Sequence, residues 1–158
     1  MYNIGAKLVY PLHGAGVVEA IEEKEVLGTK RRYYVLYFPI DDMKAMIPIE
    51  NSQEIGLREI SDSITIKKAL AILAEKSSLM SSNWNQRYRN NLEKIKRGDV
   101  LELAEVIRDL TDRDQSKGLS SGEKKMLDNA RQILISELIL AQEITEKAAR
   151  EMLEQIFA

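Results

Sequence analysis

The sequence contains no cysteine and only one histidine, His13, in 158 residues. The absence of thiols excludes disulfides, thiolate metal sites and thiol catalysis, and a single imidazole argues against a histidine-rich metal site. No run of about 18 apolar residues occurs, so no membrane-spanning helix is predicted. We therefore expect a cytoplasmic protein with no membrane contact, no metal and no cofactor.

A large excess of either charge is also missing, since 23 basic side chains face 25 acidic ones and the net charge is −2. This balance excludes a polycation that coats nucleic acid, so any nucleic-acid contact must come from a local patch. Catalytic motifs are lacking as well: there is no GxGxxG, no Walker loop and no nucleophile elbow. Gly14-Ala15-Gly16 is only a Gly-x-Gly, better explained by a hairpin turn than by a phosphate cradle. No catalytic residue is predicted.

The first 60 residues have the composition of a β-rich domain. All three prolines fall in the first 50 residues, and six of the nine aromatic residues lie before residue 60. Short apolar and β-branched runs are separated by Gly and Pro, which is typical of strands and turns. The pattern predicts a small five-stranded barrel of the Tudor or SH3 type over residues 1–60, with strands at 7–10, 16–26, 32–38, 43–49 and 55–60.

Residues 61–158 have the apolar spacing of helices, with repeats of three and four residues. Polar residues at the expected starts predict helix caps, and Ser120 with Glu123 fits a capping box. The remaining predicted caps are Ser63, Asp99 and Thr145. The fold class is therefore α+β: a small barrel followed by a bundle of about five α-helices.

The strongest local signal in the helical half is Trp84, the only tryptophan of the chain. The next thirteen residues carry five basic side chains against one acidic side chain, Glu93. An exposed ring beside cations could stack on an unpaired nucleic-acid base. The alternative is a core residue, because Trp84 shares a helical stripe with Tyr88, Leu92 and Ile95. A second basic spot, Lys124-Lys125, begins the fourth predicted helix and is either a phosphate contact or a solvated helix start.

The front half contains more apolar surface than a five-stranded barrel can bury, at 33–38 and 46–49. Pro48 suits an edge strand because it cannot donate to a ladder. An apolar edge can bind a partner by strand addition. The alternative is that most of these side chains are barrel core.

Several long motifs of the helical half strongly resemble the CarD/CdnL family of bacterial transcription regulators: Asn83–Lys94, Gly98-Asp99, Ala104–Leu110, Gly118–Leu127 and Ala130–Leu134. In the front half, Val9-Tyr10-Pro11, His13–Gly16 and Met46-Ile47-Pro48 are similar to the domain that this family shares with the transcription-repair coupling factor. The resemblance extends over nearly the whole chain.

The resemblance implies a Tudor-like domain that binds the β subunit of RNA polymerase and a helical domain that contacts promoter DNA at the upstream edge of the transcription bubble. It implies that Trp84 wedges into the minor groove and helps to hold the open complex, with Arg87, Arg89, Lys124 and Lys125 as basic DNA contacts. The implied polymerase contacts are Lys24, Leu36, Met46 and Pro48.

Two positions depart from the family pattern. Gln86 stands where members often carry a basic residue, which puts one phosphate contact in question. Thr111 stands where some members carry an aromatic residue. We therefore expect a monomeric, non-enzymatic transcription regulator that reaches the nucleoid through RNA polymerase. The alternatives are a protein-only adaptor with Trp84 buried in a structural bundle and, as a third, an enzyme.

Overall fold

A computed structural model describes residues 1–158, and it confirms the α+β class with five strands followed by five helices. The strands are β1 (Lys7–Tyr10), β2 (Gly14–Val26), β3 (Thr29–Phe38), β4 (Met43–Pro48) and β5 (Arg58–Glu59). The helices are α1 (Ser63–Ala74), α2 (Trp84–Lys96), α3 (Val100–Ser116), α4 (Ser121–Gln142) and α5 (Glu146–Ile156). The fifth strand is shorter than predicted. No helix is long and apolar enough to cross a lipid bilayer.

The five strands form one antiparallel sheet in the order β4-β3-β2-β1-β5, with β4 and β5 at its edges. β2 and β3 pair as far as Val26 and Thr29. The turn between them has positive φ at Leu27 and Gly28, as a type I′ hairpin requires. One face of the sheet encloses a small apolar core of Leu8, Val18, Tyr34, Leu36, Phe38, Ile47 and Leu57.

All five helices begin at capping side chains, and three of the four predicted caps are confirmed. Asp99, Ser120 and Thr145 each accept a hydrogen bond from the first turn of their helix. For α1 the cap is Asp62, which accepts from Thr65 N at 2.8 Å, and the prediction of Ser63 was wrong by one residue. Ser61, Asp62 and Ser63 are all good caps, so residue type alone does not choose among them.

The buried face of α2 differs from the predicted apolar stripe. Its buried residues are Arg87, Asn91 and Ile95, whereas Trp84 is exposed and Tyr88 is half-buried. Two of the three buried side chains are therefore polar. Of the predicted stripe, Ile95 is in the core and Tyr88 and Leu92 pack against it, but counting apolar residues alone missed Arg87 and Asn91, because a buried polar residue is stable only with partners from elsewhere in the fold.

The sheet packs against α4 through the start of β2. Ala15 N donates to Ser136 Oγ at 2.8 Å. Gly14 has φ +110°, and a Cβ there would lie 2.7 Å from Ser136 Oγ. The turn predicted at Gly14–Gly16 lies at 11–13 instead, and Gly14 allows the close approach of β2 to α4.

A salt bridge also joins the sheet to the helices. Arg58 on β5 donates to both carboxylate oxygens of Glu137 on α4, at 2.9 and 2.8 Å. Glu137 also accepts from Ser61 N at 2.8 Å, and Arg58 Nε donates to the carbonyl of Gly98. These bonds connect β5, α4 and the α2–α3 turn at one point.

Candidate functional site

Trp84 lies at the first position of α2, and 42% of its surface is exposed. Asn83 caps the helix by accepting from Gln86 N at 3.0 Å. The indole ring stacks on Tyr88, with centroids 5.2 Å apart and planes 20° apart. Its Nε1 donates to Ser120 Oγ at 2.8 Å. The structure therefore favours the exposed interpretation of Trp84, and the ring is held in one orientation although it faces solvent.

Arg87, one helical turn after Trp84, forms a buried bidentate ion pair with Glu123 on α4. Nε lies 2.7 Å from Oε2, and Nη2 lies 3.1 Å from Oε1. The exposed fractions of the two side chains are 4% and 1%. Arg87 Nη1 also donates to the carbonyls of Ser81 and Ser82. In this structure Arg87 joins α2, α4 and the preceding loop and presents no surface to a ligand.

Glu123 completes the link between the two helices. The Ser120–Glu123 box is half formed: Ser120 Oγ accepts from Glu123 N at 3.2 Å, but the Glu123 carboxylate turns to Arg87 and the Ser120 hydroxyl. Hydrogen bonds from the Arg87 guanidinium lower the pKa of Glu123, and Glu123 in turn raises the pKa of Arg87. Both groups are therefore charged at neutral pH, and each compensates the buried charge of the other.

The basic side chains near Trp84 divide into paired and free ones. Lys94 pairs with Glu105 at 3.0 Å and Arg97 with Glu102 at 2.9 Å. The sum of charges along the sequence therefore overstates the positive patch, because acidic residues of α3 neutralise part of it. The predicted DNA contacts that are exposed and form no ion pair are Arg89, Lys124 and Lys125.

The two positions that depart from the family pattern have different surroundings. Gln86 is exposed, and its Nε2 donates to Asn90 Oδ1 at 2.8 Å. Thr111 is buried and accepts from Arg131 Nη2 at 3.3 Å. The departure at residue 86 therefore alters the surface beside Trp84, whereas Thr111 is part of the packing between α3 and α4.

The predicted polymerase contacts do not all share one surface. Val35 pairs with Met46 and Tyr33 with Pro48, and alternation along a strand places these residues on the face away from Tyr34 and Leu36. Met46 is exposed, whereas Leu36 is completely buried in the sheet core. Leu36 can act on a partner only through packing, and a direct contact is not possible in this conformation.

Lys24 lies on the same outer face, further along the β2–β3 hairpin. It is exposed and directly opposite Arg31 in the ladder, and like charges in this arrangement are destabilising. Neither side chain forms an ion pair within the chain. Arg31 and Tyr33 lie between Lys24 and Pro48 on this face; Tyr33 belongs to the apolar run 33–38 noted in the sequence, whereas Arg31 was not predicted. The alternation of side chains along β3 could have identified both residues, because it places 31, 33 and 35 on the same face.

Other polar clusters have structural explanations. Asp109 is buried rather than solvated, and it accepts from Ser78 N at 3.0 Å and Arg108 Nε at 2.9 Å, which fixes the α1–α2 loop on α3. An open groove of about 340 Å³ beside this cluster is lined mostly by polar residues. No three His, Asp or Glu side chains come close enough to hold a metal ion.

Comparison with known proteins identifies two family models. The model described as "CarD, C-terminal domain" matches residues 68–154, and "CarD-like/TRCF RID domain" matches residues 2–61. The chain is also similar to "Putative transcription factor YdeB" of Bacillus subtilis (strain 168), with 46% identity over 147 residues. That alignment covers 93% of this chain and 96% of the relative.

Proposed function

Because this chain belongs to the CarD family and is a CarD-like transcription factor, we propose that it binds RNA polymerase and stabilises the promoter open complex. The observation that carries the proposal is Trp84, a large aromatic ring that is exposed and yet fixed by Tyr88 and Ser120. A side chain held in this way is suited to insertion rather than to packing. The adaptor alternative, in which Trp84 is buried, does not agree with this exposure.

Trp84 wedges into the minor groove at the upstream edge of the transcription bubble. Apolar wedges partly unstack base steps, and the cost is least where the duplex is already distorted. Arg89, Lys124 and Lys125 contact phosphates, since they are exposed and free of ion pairs. Arg87 contributes by holding Glu123 and the loop before α2, so that the helix start is rigid.

RNA polymerase binds the outer face of the sheet, through its β subunit. Lys24, Met46 and Pro48 share this face, together with Arg31 and Tyr33. The Lys24–Arg31 pair lacks acidic partners within the chain, so an acidic side chain of the polymerase would relieve the repulsion. β4 is an edge strand with apolar side chains and fits strand addition. Leu36 supports this face from the core.

No catalytic step is needed for this activity. A chain with a net charge of −2 and few free cations binds DNA weakly by itself, because it releases few counterions. Attachment to polymerase raises its effective concentration at the promoter and, with it, on the nucleoid. A wedge that prefers distorted DNA shifts the equilibrium toward the open promoter through its differential affinity.

The decisive experiment is Trp84→Ala in an open-complex lifetime assay with the cognate polymerase. Removing a stacked aromatic costs about 1–3 kcal/mol of nucleic-acid contact, so we expect a lifetime about five- to a hundredfold shorter. The melting temperature should change little, because the ring is exposed. Ile64→Ala, which truncates an exposed apolar residue of α1, is the matched control. An unchanged lifetime in Trp84→Ala would refute the wedge.

The polymerase surface is tested separately by binding to a β-subunit fragment. Met46→Ala and Pro48→Ala should each weaken binding by about fivefold or more, as expected for central interface residues. Met43→Ala is the control, since Met43 is an exposed methionine of the same strand but lies on the opposite face by alternation. Equal effects of all three substitutions would show that the outer face is not the binding surface.

A further inference from the structure

The hydroxyl of Ser120 is the only polar group to which the Trp84 indole N–H donates. It occupies the N-cap of α4, whereas the indole begins α2. A second connection lies one turn further along both helices, where Arg87 meets Glu123. Trp84 and Arg87 are three residues apart on α2, as are Ser120 and Glu123 on α4, so the two connections lie side by side.

The hydrogen bonds of this hydroxyl use its full capacity. A serine hydroxyl has one hydrogen to donate and two lone pairs to accept. The Ser120 oxygen accepts from Trp84 Nε1 at 2.8 Å and from Glu123 N at 3.2 Å. Its own hydrogen is therefore directed to Glu123 Oε1, 3.2 Å away. The Ser120 side chain cannot rotate without losing the helix cap and the contact with Glu123 together.

This arrangement restricts Trp84 in a way that stacking alone does not. Contact with Tyr88 fixes the plane of the indole, but the terminal torsion of an aromatic side chain is broad and roughly two-fold. The bond to Ser120 selects the orientation in which the N–H edge faces the start of α4. The ring is then ordered before any ligand arrives, which avoids part of the entropy loss on binding.

We propose that Ser120 is a positioning residue for Trp84, fixing the indole in the orientation that enters promoter DNA. This inference rests on the proposed role of Trp84 in the open complex. Ser120 acts through Trp84 and needs no DNA contact of its own. Immobilising one side chain in advance corresponds to an effect of about two- to tenfold on the lifetime of the complex.

The test has one readout on the free protein and one on the promoter complex. Trp84 is the only tryptophan, so its indole N–H gives a single signal in a 15N-correlated NMR spectrum. In Ser120→Ala this signal should shift and its hydrogen exchange should accelerate. The open-complex lifetime should fall about two- to tenfold. Ser120→Thr, which keeps a hydroxyl, should retain the slow exchange of the indole N–H and the lifetime of the unaltered chain.

Loss of the helix cap is the competing explanation, and the chain offers a matched control. Thr145 caps α5 by accepting from Ala148 N at 3.1 Å, with no aromatic donor. Thr145→Ala should leave the indole signal and the lifetime unchanged. Ser120→Gly removes the hydroxyl but retains most of the capping energy. It should reproduce Ser120→Ala and serves if that variant does not fold.

Three results distinguish the possible failures. An indole signal and exchange rate unchanged by both Ser120→Ala and Ser120→Gly would overturn the inference, whatever happens at the promoter. A Ser120→Ala effect on lifetime that persists in a Trp84→Ala background would also overturn it, since Ser120 would then act independently of the ring. If Trp84→Ala leaves the lifetime unchanged, the proposed wedge fails, whereas the NMR result still reports whether Ser120 orients the ring.

Discussion

Two arginine–glutamate pairs connect separate elements of this molecule, and they differ in burial and in what they connect. Arg87 and Glu123 join two helices of the same bundle and have exposed fractions of 4% and 1%. Arg58 and Glu137 join the sheet to the bundle, and their exposed fractions are 27% and 0%. Both pairs are bidentate, and both place the carboxylate on α4.

The difference between the pairs lies in what is left when one partner is removed. Loss of Arg87 leaves the Glu123 carboxylate charged, buried and out of reach of water. Loss of the Glu137 charge, by contrast, leaves an Arg58 side chain that solvent can reach. Buried ion pairs add little net stability compared with apolar residues, but breaking one is costly. The first pair therefore fixes the immediate surroundings of Trp84, and the second fixes how the sheet meets the helices at the domain boundary predicted near residue 60.

Arg87→Met should produce the largest loss. It leaves the Glu123 charge buried without a charged partner, and such losses cost about 3–5 kcal/mol of folding stability. Urea unfolding followed by circular dichroism measures the change. Adding Glu123→Leu should recover much of the lost stability, because the stranded charge is then gone. A double variant no more stable than Arg87→Met would show that stranded charge is not the cause.

Glu137→Gln should cost less, about 1–3 kcal/mol, the range for hydrogen bonds to charged groups. Shape is retained, and Arg58 can be hydrated. The same unfolding measurement gives the magnitude. Because this pair joins the sheet to the helices, limited proteolysis near residue 60 should also be faster in Glu137→Gln. Lys94→Gln is the control, since it removes a partly exposed pair within the bundle and should not accelerate this cleavage. A loss of folding stability as large as that in Arg87→Met would contradict the explanation that the partly exposed Arg58 is hydrated once its partner is uncharged.

Acidification should reduce the contribution of the Arg87–Glu123 pair to folding stability gradually, and by less than the two substitutions above. The pKa of Glu123 is lower in the folded chain, so the unfolded chain takes up the proton first, near the ordinary value of about 4.3. The contribution of the pair is complete above that pH and is lost as the pH falls through the lowered folded pKa. Each unit of lowering is equivalent to about 1.4 kcal/mol.

The measurement is the free energy of unfolding against pH, for the unaltered chain and for Glu123→Gln. All other carboxyl groups titrate in both proteins, so the difference between the curves isolates Glu123. The unaltered chain should lose stability more steeply on acidification. Parallel curves would mean that Glu123 ionises equally easily in the folded and unfolded chains.

The features that could be predicted from the sequence depend on neighbouring residues, and those that could not depend on residues far away along the chain. Cap residues act on backbone within three positions, and Asp99, Ser120 and Thr145 were identified correctly. Leu36 was predicted to lie on a contact surface, but the pairing of β3 with its neighbours places its side chain in the core. Alternation along β3 is local, whereas the choice of which alternate set faces inward depends on the neighbouring strands.

The sequence by itself determined the division into a strand-rich front and a helical back, the number of strands and α-helices, three of the five helix caps and the identity of Trp84 as an unusual residue. Proline and glycine placement and apolar periodicity depend on neighbouring residues, so they can be read along the chain. Only the tertiary structure decided that Arg87 is buried and that the Trp84 ring is fixed from α4. Their partners, Glu123 and Ser120, each lie 36 residues away, and a buried polar group takes whichever partner the packed helices bring within hydrogen-bonding distance.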